Sequence, residues 1–398
     1  MPDVLDAPLT DAALAAELVA LRRTLHRRPE VGFDEHETQA TLRAWLEARG
    51  FAPGAPLAGT GFVVEIEGAA GDGPTVAYRT DIDALPIEEL SGAEYASETP
   101  GVMHACGHDA HMAIACGVAL VARERSGEMR GRLRILFQPN EERAPSGAPV
   151  MIRDGAIDGV DAIYAVHVDP TIDVGRFGVK AGPLQAGCSP FRITIRTDGS
   201  GHSARPHEVV DTVAVATHVM SELYTLAGRV TDARRPAVLT LCRLRAGDAL
   251  NVIPAEAEIG GTLRAVDTET LVRLRDAVAR VAEGLAAVHG ATAEVAFSDL
   301  LPAVVNTPAE AGRIREAVAG VLGEAAVLDL PLPSMGGEDF AYYLEHVPGA
   351  LVRVGTRGRD GTAFPLHDAR FDLDEAALPI AARVMAETCL RDLAERAS

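Results

Sequence analysis

The sequence is poor in aromatic residues and almost without lysine. Aromatic side chains make up 4% of its 398 residues, with a single tryptophan, and Lys180 is the one lysine. Acidic residues outnumber basic ones by 57 to 37, which gives a formal net charge of −20. Because nucleic acids and anionic membranes attract basic surfaces, this balance argues against either of them as a partner. A small anionic substrate stays possible, since local arginine or metal charge can attract it.

Cysteine is sparse, and long apolar runs are absent. The five cysteines are an odd number spread from Cys106 to Cys389, which argues against a disulfide framework. The apolar stretches are short and interrupted by charge, so no membrane span is expected. The first ten residues are acidic and contain two prolines, so we expect no signal peptide. With 47% apolar and 24% charged residues, the composition is typical of a globular protein, and a cytoplasmic enzyme is the expected class.

Helical and strand-like periods alternate along most of the chain. The length exceeds what one hydrophobic core usually serves, so two domains are expected. Asp11 and Asp109 are the predicted caps of two of the helices. Predicted helices cover 11–28, 37–49, 109–125 and 308–322, and predicted strands cover 63–66, 75–78, 133–137 and 162–168. This alternation predicts an α/β core, in which functional residues gather where strands end.

The pattern changes near residue 185. Predicted strands at 191–196, 237–245, 256–265 and 292–297 and predicted helices at 208–227 and 267–289 follow one another there. The order βαββαβ is typical of a compact ferredoxin-like unit. We therefore expect a discontinuous catalytic domain, residues 1–184 and 298–398, interrupted by an inserted domain, residues 185–297.

The segment 104–111, HACGHDAH, concentrates chemically active side chains. It brings one thiol, three imidazoles and one carboxylate into two turns of backbone. Thiolate and imidazole are the groups that hold borderline-soft divalent metals such as zinc. Taken alone, the segment could also be a polar loop with solvated histidines and a small buried cysteine.

Further side chains of metal-binding type follow the predicted strands. They are Asp81 and Asp83, Glu141 and Glu142, His167, and His367. Each has an ordinary structural explanation by itself, as a turn aspartate, a solvated acidic pair or a histidine satisfied in the core. Their joint position in the α/β part, and outside the insert, favours a metal centre. Adjacent carboxylates point in different directions, so one can bind metal while its neighbour moves a proton.

Seven short motifs extend over nearly the whole chain. They are HRRPE at 26–30 followed by Glu37-Thr38, RTDIDALP at 79–86, MHACGHDAH at 103–111, QPNEE at 138–142, GSGHSARPH at 199–207, NVIP at 251–254 and GGEDF at 336–340. Together they resemble the M20 metallopeptidase family. Within it, the resemblance is to subfamily D, the amidohydrolase branch of hippurate hydrolases, auxin–amino acid conjugate hydrolases and N-acetyldiaminopimelate deacetylases.

The resemblance implies a fold, an assembly and a cofactor. The implied fold is a discontinuous α/β catalytic domain with an inserted ferredoxin-like α+β dimerisation or lid domain, in a homodimer or higher homo-oligomer. The implied cofactor is two divalent metal ions per subunit, zinc or manganese in the first place, with cobalt and nickel also compatible with the donor set. The implied metal ligands are Cys106, His108, Glu142, His167 and His367.

The resemblance also implies catalytic and binding roles. Glu141 matches the general base, Asp83 the aspartate that orients a metal-bound histidine, and His202 the donor to the tetrahedral oxyanion. Asn251, Arg264 and His207 fall where substrate-binding residues are expected. His202 could instead make a local hydrogen bond in its turn, and Arg264 could form a surface ion pair.

Two positions differ from other branches of the family. Other branches place a histidine ligand where this chain has Asp81, so the partner of Asp83 is in question. They also use a bridging aspartate where this chain has Cys106. The cysteine favours cleavage of N-acyl amino acids by a metal-dependent amidohydrolase. The alternatives are a dipeptidase or carboxypeptidase of the same fold, or a catalytically silent protein that binds a small molecule.

Overall fold

A computed structural model describes residues 11–358 and 363–398 of the chain. The α-helices of the described chain are α1 (Asp11–Arg27), α2 (His36–Glu47), α3 (His108–Glu124), α4 (Gly147–Arg153), α5 (Thr212–Val230), α6 (Thr268–Val288), α7 (Pro308–Leu322), α8 (Ala341–Leu344) and α9 (Ala377–Arg396). Short 3-10 turns occur besides these helices. Most helices begin within four residues of the starts expected from hydrophobic periodicity.

The strands follow the same alternation. They are β1 (Phe62–Glu67), β2 (Thr75–Asp81), β3 (Arg132–Gln138), β4 (Ala162–Asp173), β5 (Phe177–Val179), β6 (Gly182–Gln185), β7 (Gly187–Arg196), β8 (Gly201–His202), β9 (Ala237–Ala246), β10 (Val252–Ile253), β11 (Glu256–Ala265), β12 (Thr292–Phe297), β13 (Val304–Asn306), β14 (Val327–Asp329) and β15 (Gly349–Arg357). The α/β fold class predicted from the sequence is confirmed.

The described chain divides into two compact units. The first comprises the described residues within Met1–Gly182, Val305–Leu332 and Asp339–Ser398, and the second comprises Pro183–Val304 and Pro333–Glu338. The short return segment joins the second unit through backbone pairing, in which Ala186 N–H donates to the Ser334 carbonyl at 2.9 Å. The roles predicted for a catalytic and an inserted domain, and their exact boundaries, stay predictions.

A seven-stranded sheet forms the centre of the first unit. Its order is β1-β3-β2-β4-β15-β5-β14, and the four strands β3, β2, β4 and β15 run parallel. Every residue of β2 is buried, as expected for a parallel strand covered on both faces. The carboxyl ends of these parallel strands therefore meet at one edge, where a site can be assembled.

Helices α1, α3 and α9 pack closely in the first unit. Gly117 of α3 marks the tightest approach, because a Cβ there would lie 2.6 Å from Ala382 Cβ and 2.8 Å from Leu18 Cδ1. Leu14, Leu18 and Leu21 of α1 are buried at a helical spacing. This packing fixes the helix that begins beside the candidate ligands.

The second unit has the predicted βαββαβ order. Its antiparallel sheet runs β12-β7-β11-β9, and α5 and α6 pack against it. Helix α5 begins at Thr212, four residues after the predicted start, because Asp211 accepts hydrogen bonds from Val213 N–H and Ala214 N–H and so caps the helix there. Among the described residues, no helix is both long enough and apolar enough to cross a membrane.

One predicted helix cap is wrong. Helix α3 begins at His108 with Gly107 as its N-cap, so Asp109 lies inside the first turn. The Asp109 carboxylate instead accepts hydrogen bonds from Arg22 Nε at 2.7 Å and from His26 Nδ1 at 2.8 Å. A fully buried arginine and histidine outcompete the backbone for this carboxylate. Asp11, the other predicted cap, is the first residue of α1, and the residues before it lie outside the described residues.

Candidate metal centre

Five side chains expected as metal ligands meet at the carboxyl edge of the parallel strands. Glu142 follows β3, His167 lies on β4, and Cys106 and His108 stand at the start of α3. His367 follows β15 and the undescribed residues 359–362. They therefore come from β4, from the start of α3 and from segments that follow β3 and β15, and α/β folds assemble sites at such strand ends.

The Cys106 thiol lies at the middle of one ligand group. Its Sγ atom is 3.3 Å from His367 Nε2 and 3.6 Å from His167 Nε2. His367 Nε2 is also 3.3 Å from Glu142 Oε1. Cys106, Glu142 and His367 thus offer ligand atoms within 4.8 Å of one another, as a bound ion requires.

A second group shares Glu142 with the first. His108 Nε2 lies 3.8 Å from Glu142 Oε1 and 4.0 Å from Glu141 Oε2. The ligand atoms of His108, Glu141 and Glu142 also lie within 4.8 Å of one another. Glu142 is therefore common to the two groups.

Hydrogen bonds fix which nitrogen each imidazole presents. His108 Nδ1 donates to the Asp83 carbonyl at 2.9 Å, and His167 Nδ1 donates to the Val168 carbonyl at 2.8 Å. A carbonyl oxygen only accepts, so in both rings Nδ1 carries the proton. In the neutral rings the Nε2 lone pair therefore faces the ligand group, which is how metal-binding histidines are commonly oriented.

Unsatisfied atoms support the fit of this donor set to a metal. His108 Nε2 and Glu142 Oε1 are buried and have no hydrogen-bond partner among the described residues. Buried polar atoms without partners are costly, and a metal ion removes that cost. One thiol, three imidazoles and a carboxylate are donors that suit zinc, manganese, cobalt or nickel. The residues present therefore fit a pair of divalent ions.

Burial and local charge act differently on the ligands. Burial and the nearby Glu142 carboxylate raise the pKa of the Cys106 thiol well above its usual range. Burial and the positive charge of Arg353 lower the pKa of His167 well below its usual range. His167 is accordingly neutral, as a ligand must be, while the Cys106 thiolate needs a cation beside it.

Glu141 stands next to the ligands with its carboxylate partly held. Its Oε1 atom accepts a hydrogen bond from Asp339 N–H at 3.3 Å, while Oε2 is the atom near His108. Only 11% of its side chain is exposed. A carboxylate that is anchored on one oxygen and aimed at the ligand group with the other is placed to exchange a proton there.

Asp83 keeps a histidine partner, although Asp81 stands where other branches have a ligand. Asp83 Oδ1 lies 3.3 Å from His108 Nδ1, and its Oδ2 accepts from Glu142 N–H at 3.1 Å. The side chain thus contacts one expected ligand and the backbone of another.

Asp81 lies in a buried network beside His108, with its Oδ1 atom 3.8 Å from His108 Nδ1. Its Oδ1 accepts from His111 Nδ1 at 2.8 Å, and its Oδ2 accepts from Arg79 at 2.9 Å. Burial raises the pKa of Asp81, but the surrounding His108, His111 and Arg79 lower it more, so the pKa lies well below its usual range. Asp81 is therefore an ionised partner of cations.

Glu35, which lies between the two parts of the motif at 26–38, supports the turn that carries Glu141 and Glu142. Glu35, buried in the first unit, accepts from Asn140 N–H at 2.9 Å and from Thr60 Oγ1 at 2.5 Å. Asn140 has a left-handed φ of 50°, and its side chain donates to the Pro145 carbonyl at 2.7 Å. A Cβ on Gly32 would collide with Asn140 Oδ1 at 1.7 Å. Sequence reasoning missed Glu35 and Asn140, although the motif that contains Glu30 and Glu37 runs past Glu35.

Gly107 allows the close approach that the ligand helix needs. Its φ is +82°, and a Cβ at this position would lie 2.5 Å from Val168 Cγ2. Only glycine adopts this backbone without strain. The residue therefore lets Cys106 and His108, on either side of it, pack against the strand that carries His167.

The predicted binding residues lie in the second unit. His202 of β8 pairs in register with Val252 of β10, which places the exposed Asn251 beside it. Ala204 N–H donates to His202 Nδ1 at 3.0 Å, so Nε2 carries the proton and is a donor. His207 lies in an exposed 3-10 turn. The half-buried Arg264 of β11 donates to the Met335 carbonyl at 2.6 Å, a contact different in kind from the surface ion pair considered above.

The two glycines of the GGEDF motif also lie in the second unit. A Cβ on Gly337 would lie 2.6 Å from Leu301 Cδ2, so this glycine permits a close approach. Glu338 beside it is buried. These positions explain the glycine requirement by packing.

Known proteins are similar to this chain over most of its length. The family model for peptidase family M20/M25/M40 matches residues 77–391. An N-acetylcysteine deacetylase from Bacillus subtilis is 40% identical over 95% of this chain and 97% of its own. Thermostable carboxypeptidase 2 of Saccharolobus solfataricus is 33% identical over 92% of each chain.

One solved structure is similar to this chain in both fold and sequence. The Bacillus subtilis YXEP protein, described as a dinuclear metal binding peptidase from the M20 family, is 38% identical with a TM-score of 0.85. The match covers 96% of this chain and 99% of that one. The motifs, the ligand geometry and these matches lead to one conclusion: the chain belongs to peptidase family M20/M25/M40.

Proposed function

We propose that this protein is a metal-dependent amidohydrolase that cleaves the amide bond of N-acyl amino acids. The observation that carries the proposal is the convergence of Cys106, His108, Glu142, His167 and His367, with Glu141 beside them. The N-acetylcysteine deacetylase relative supports an N-acyl amino acid as the substrate class. The cysteine at the centre of the group supports the same choice, because Cys106 is a residue by which the chain resembles the amidohydrolase branch.

The five ligands would hold two divalent ions, with zinc or manganese proposed first and cobalt or nickel as further candidates. Such ions supply Lewis acidity, which polarises the amide carbonyl and brings the pKa of a water from ~15.7 toward ~7. Glu142 would be one of the residues that hold the ions, because its Oε1 atom faces both His108 and His367.

Glu141 is the proposed general base. It takes a proton from the attacking water and later gives it to the leaving amine nitrogen, so the carboxylate is restored after each turnover. The Asp339 N–H that holds Oε1 leaves Oε2 facing His108, on the side of the ligand group. Asp83 would orient His108 and keep its ring in one tautomer.

His202 is the proposed donor to the oxyanion of the tetrahedral intermediate. Its Nε2 proton, fixed by the hydrogen bond to Nδ1, is the group that would donate. Asn251, Arg264 and His207 are proposed to bind the substrate carboxylate, for which amide and guanidinium donors are suited. A homodimer formed through the inserted domain and a cytoplasmic location complete the proposal.

A peptidase activity is the alternative that one observation favours, since one relative is named a carboxypeptidase. Stripped enzyme, reloaded separately with Zn²⁺, Mn²⁺, Co²⁺ and Ni²⁺, should be assayed with N-acetyl and N-benzoyl amino acids and with dipeptides. Metal-dependent release of free amino acids from the N-acyl compounds is the expected result. Faster cleavage of dipeptides would favour the alternative, and binding without turnover of any compound would indicate a silent homologue.

A further inference from the structure

Arg79 lies at the centre of a buried network that has no assigned role. Its side chain is fully buried, and its guanidinium contacts two carboxylates at once. One nitrogen is 2.9 Å from Asp81 Oδ2, another is 2.6 Å from Asp339 Oδ1, and Nε donates to Gln138 Oε1 at 2.8 Å. A planar guanidinium binds several acceptors in fixed directions, which a lysine ammonium does not.

One side of this network leads to a metal ligand. Asp81 Oδ1 accepts from His111 Nδ1 at 2.8 Å, and His111 Nε2 accepts from Val168 N–H at 2.9 Å. The backbone N–H can only donate, so His111 carries its proton on Nδ1, and this N–H donates a hydrogen bond to Asp81. Val168 directly follows His167 on β4. The chain Arg79–Asp81–His111 thus holds the backbone beside the His167 ring.

The other side leads to the proposed base. Asp339 accepts from Arg79, from Gln138 Nε2 at 2.8 Å and from Ala148 N–H at 3.2 Å. Its own backbone N–H donates to Glu141 Oε1 at 3.3 Å. Both sides therefore start at the Arg79 guanidinium. One ends at β4 beside His167, and the other ends at the Glu141 carboxylate.

We propose that Arg79 is a positioning residue that sets the His167 strand end and the Glu141 carboxylate relative to each other, through Asp81–His111 and through Asp339. The inference rests on the proposed function for the role of Glu141, while the His167 side concerns metal binding alone. It also accounts for Asp81. In this proposal position 81 is an aspartate because its carboxylate accepts hydrogen bonds from His111 and Arg79 and does not serve as a metal ligand.

The two sides are separable by substitution. His111→Phe keeps a planar ring but removes both nitrogens, and it should weaken metal binding ~10- to 100-fold, as losses of groups that orient ligands commonly do. Asp339→Asn should leave metal affinity within about threefold and lower kcat ~10-fold with little change in KM. Arg79→Lys should show both effects, since a single ammonium cannot hold both carboxylates in the same geometry.

Tyr164→Phe is the matched control. Tyr164 lies on the same strand as His167 and donates a buried hydrogen bond to Asp392 Oδ2 at 2.9 Å. The variant loses one buried hydrogen bond but leaves the contact between Val168 and His111 intact, so metal affinity should stay unchanged.

The experiment measures Co²⁺ and Zn²⁺ dissociation constants of the full-length variants by chelator competition, together with the Co²⁺ absorption spectrum and the melting temperature. A weakened affinity and altered spectrum in His111→Phe, with neither in Tyr164→Phe, is the expected result. Unchanged affinity in His111→Phe, or equal losses in both variants, would overturn the proposal.

Asp81→Asn, nearly isosteric, takes the place of His111→Phe if that variant does not fold, and the same outcomes apply. Because affinity is measured without substrate, a protein that binds metal normally but cleaves no amide would refute the proposed function and leave this side of the inference standing.

Discussion

Asp83 contacts the His108 ring with both its backbone carbonyl and its side-chain carboxylate. His108 Nδ1 donates to the Asp83 carbonyl at 2.9 Å and lies 3.3 Å from Asp83 Oδ1. The ring therefore has one tautomer and one orientation, with Nε2 toward Glu142. A histidine two residues after Cys106 is thus held by the aspartate whose partner the sequence left in question.

Removing the Asp83 carboxylate should weaken metal binding. Asp83→Ala leaves the carbonyl contact but removes the charge beside His108 and the acceptor for Glu142 N–H. We expect a ~10- to 100-fold weaker metal affinity, as is typical when a group that orients a ligand is lost. Chelator competition measures it. Asp154→Asn, which alters a carboxylate that accepts from Ala58 N–H elsewhere, is the control and should bind metal normally.

Cys106 should be required for full metal occupancy. Cys106→Ser replaces a thiolate by a hydroxyl, which is a weaker ligand for borderline-soft ions. We expect fewer metal ions per chain after dialysis, measured by elemental analysis. Cys242→Ser, at an exposed cysteine, is the matched control. Unchanged stoichiometry in the Cys106 variant would remove the thiol from the ligand set.

His202 should affect turnover and not metal binding. His202→Ala removes the Nε2 donor, and loss of one oxyanion donor typically costs about 10²–10³ in kcat. Metal affinity should remain that of the unmodified protein, because His202 is absent from the ligand groups found among the described residues. His289→Ala, at another exposed histidine of the same unit, should retain normal kcat. Normal turnover in the His202 variant would leave the histidine with only its local hydrogen bond to Ala204.

His26 should make folding stability depend on pH between about 6.5 and 9. Burial lowers its pKa, but Asp109 and Glu89 raise it more, to about 9, above the usual value of 6.5. The stabilisation is therefore fully present below about pH 6.5 and is lost as the pH rises through 9. It amounts to on the order of 3 kcal/mol.

Urea unfolding of the metal-free protein and of His26→Gln isolates this effect, because the other titrating groups are common to both. The free energy of unfolding should differ most between the two below pH 6.5 and least above pH 9. A difference that stays constant between pH 6.5 and 9 would show that folding does not raise the pKa of His26.

The α/β order and the ligand residue types could be read from the sequence, because both depend on local patterns. Strand β4 begins with a continuous apolar run, residues 162–166, which His167 directly follows, and Glu142 follows the end of β3. Assigning these residues to one metal centre also required the family resemblance, because a lone histidine near a strand end usually has a structural role.

The network around Arg79 could not be read in this way. Arg79 and Asp339 are 260 positions apart, and no periodic pattern links a guanidinium to a distant carboxylate. The misassigned cap at Asp109 has the same origin, because Arg22 and His26 lie 87 and 83 positions away. Local rules favour an aspartate as a cap, and only the folded chain shows which partner binds it.

The central claim is that Glu141 exchanges the proton in a metal-dependent amide hydrolysis. The most direct test compares the unmodified protein with Glu141→Gln, both loaded with Zn²⁺ or Mn²⁺, in the hydrolysis of N-acetyl amino acids. We expect the variant to bind two metal ions per chain and to lose kcat by ~10²- to 10⁴-fold, the usual contribution of general acid–base catalysis. Full activity in the metal-loaded variant would contradict the central claim.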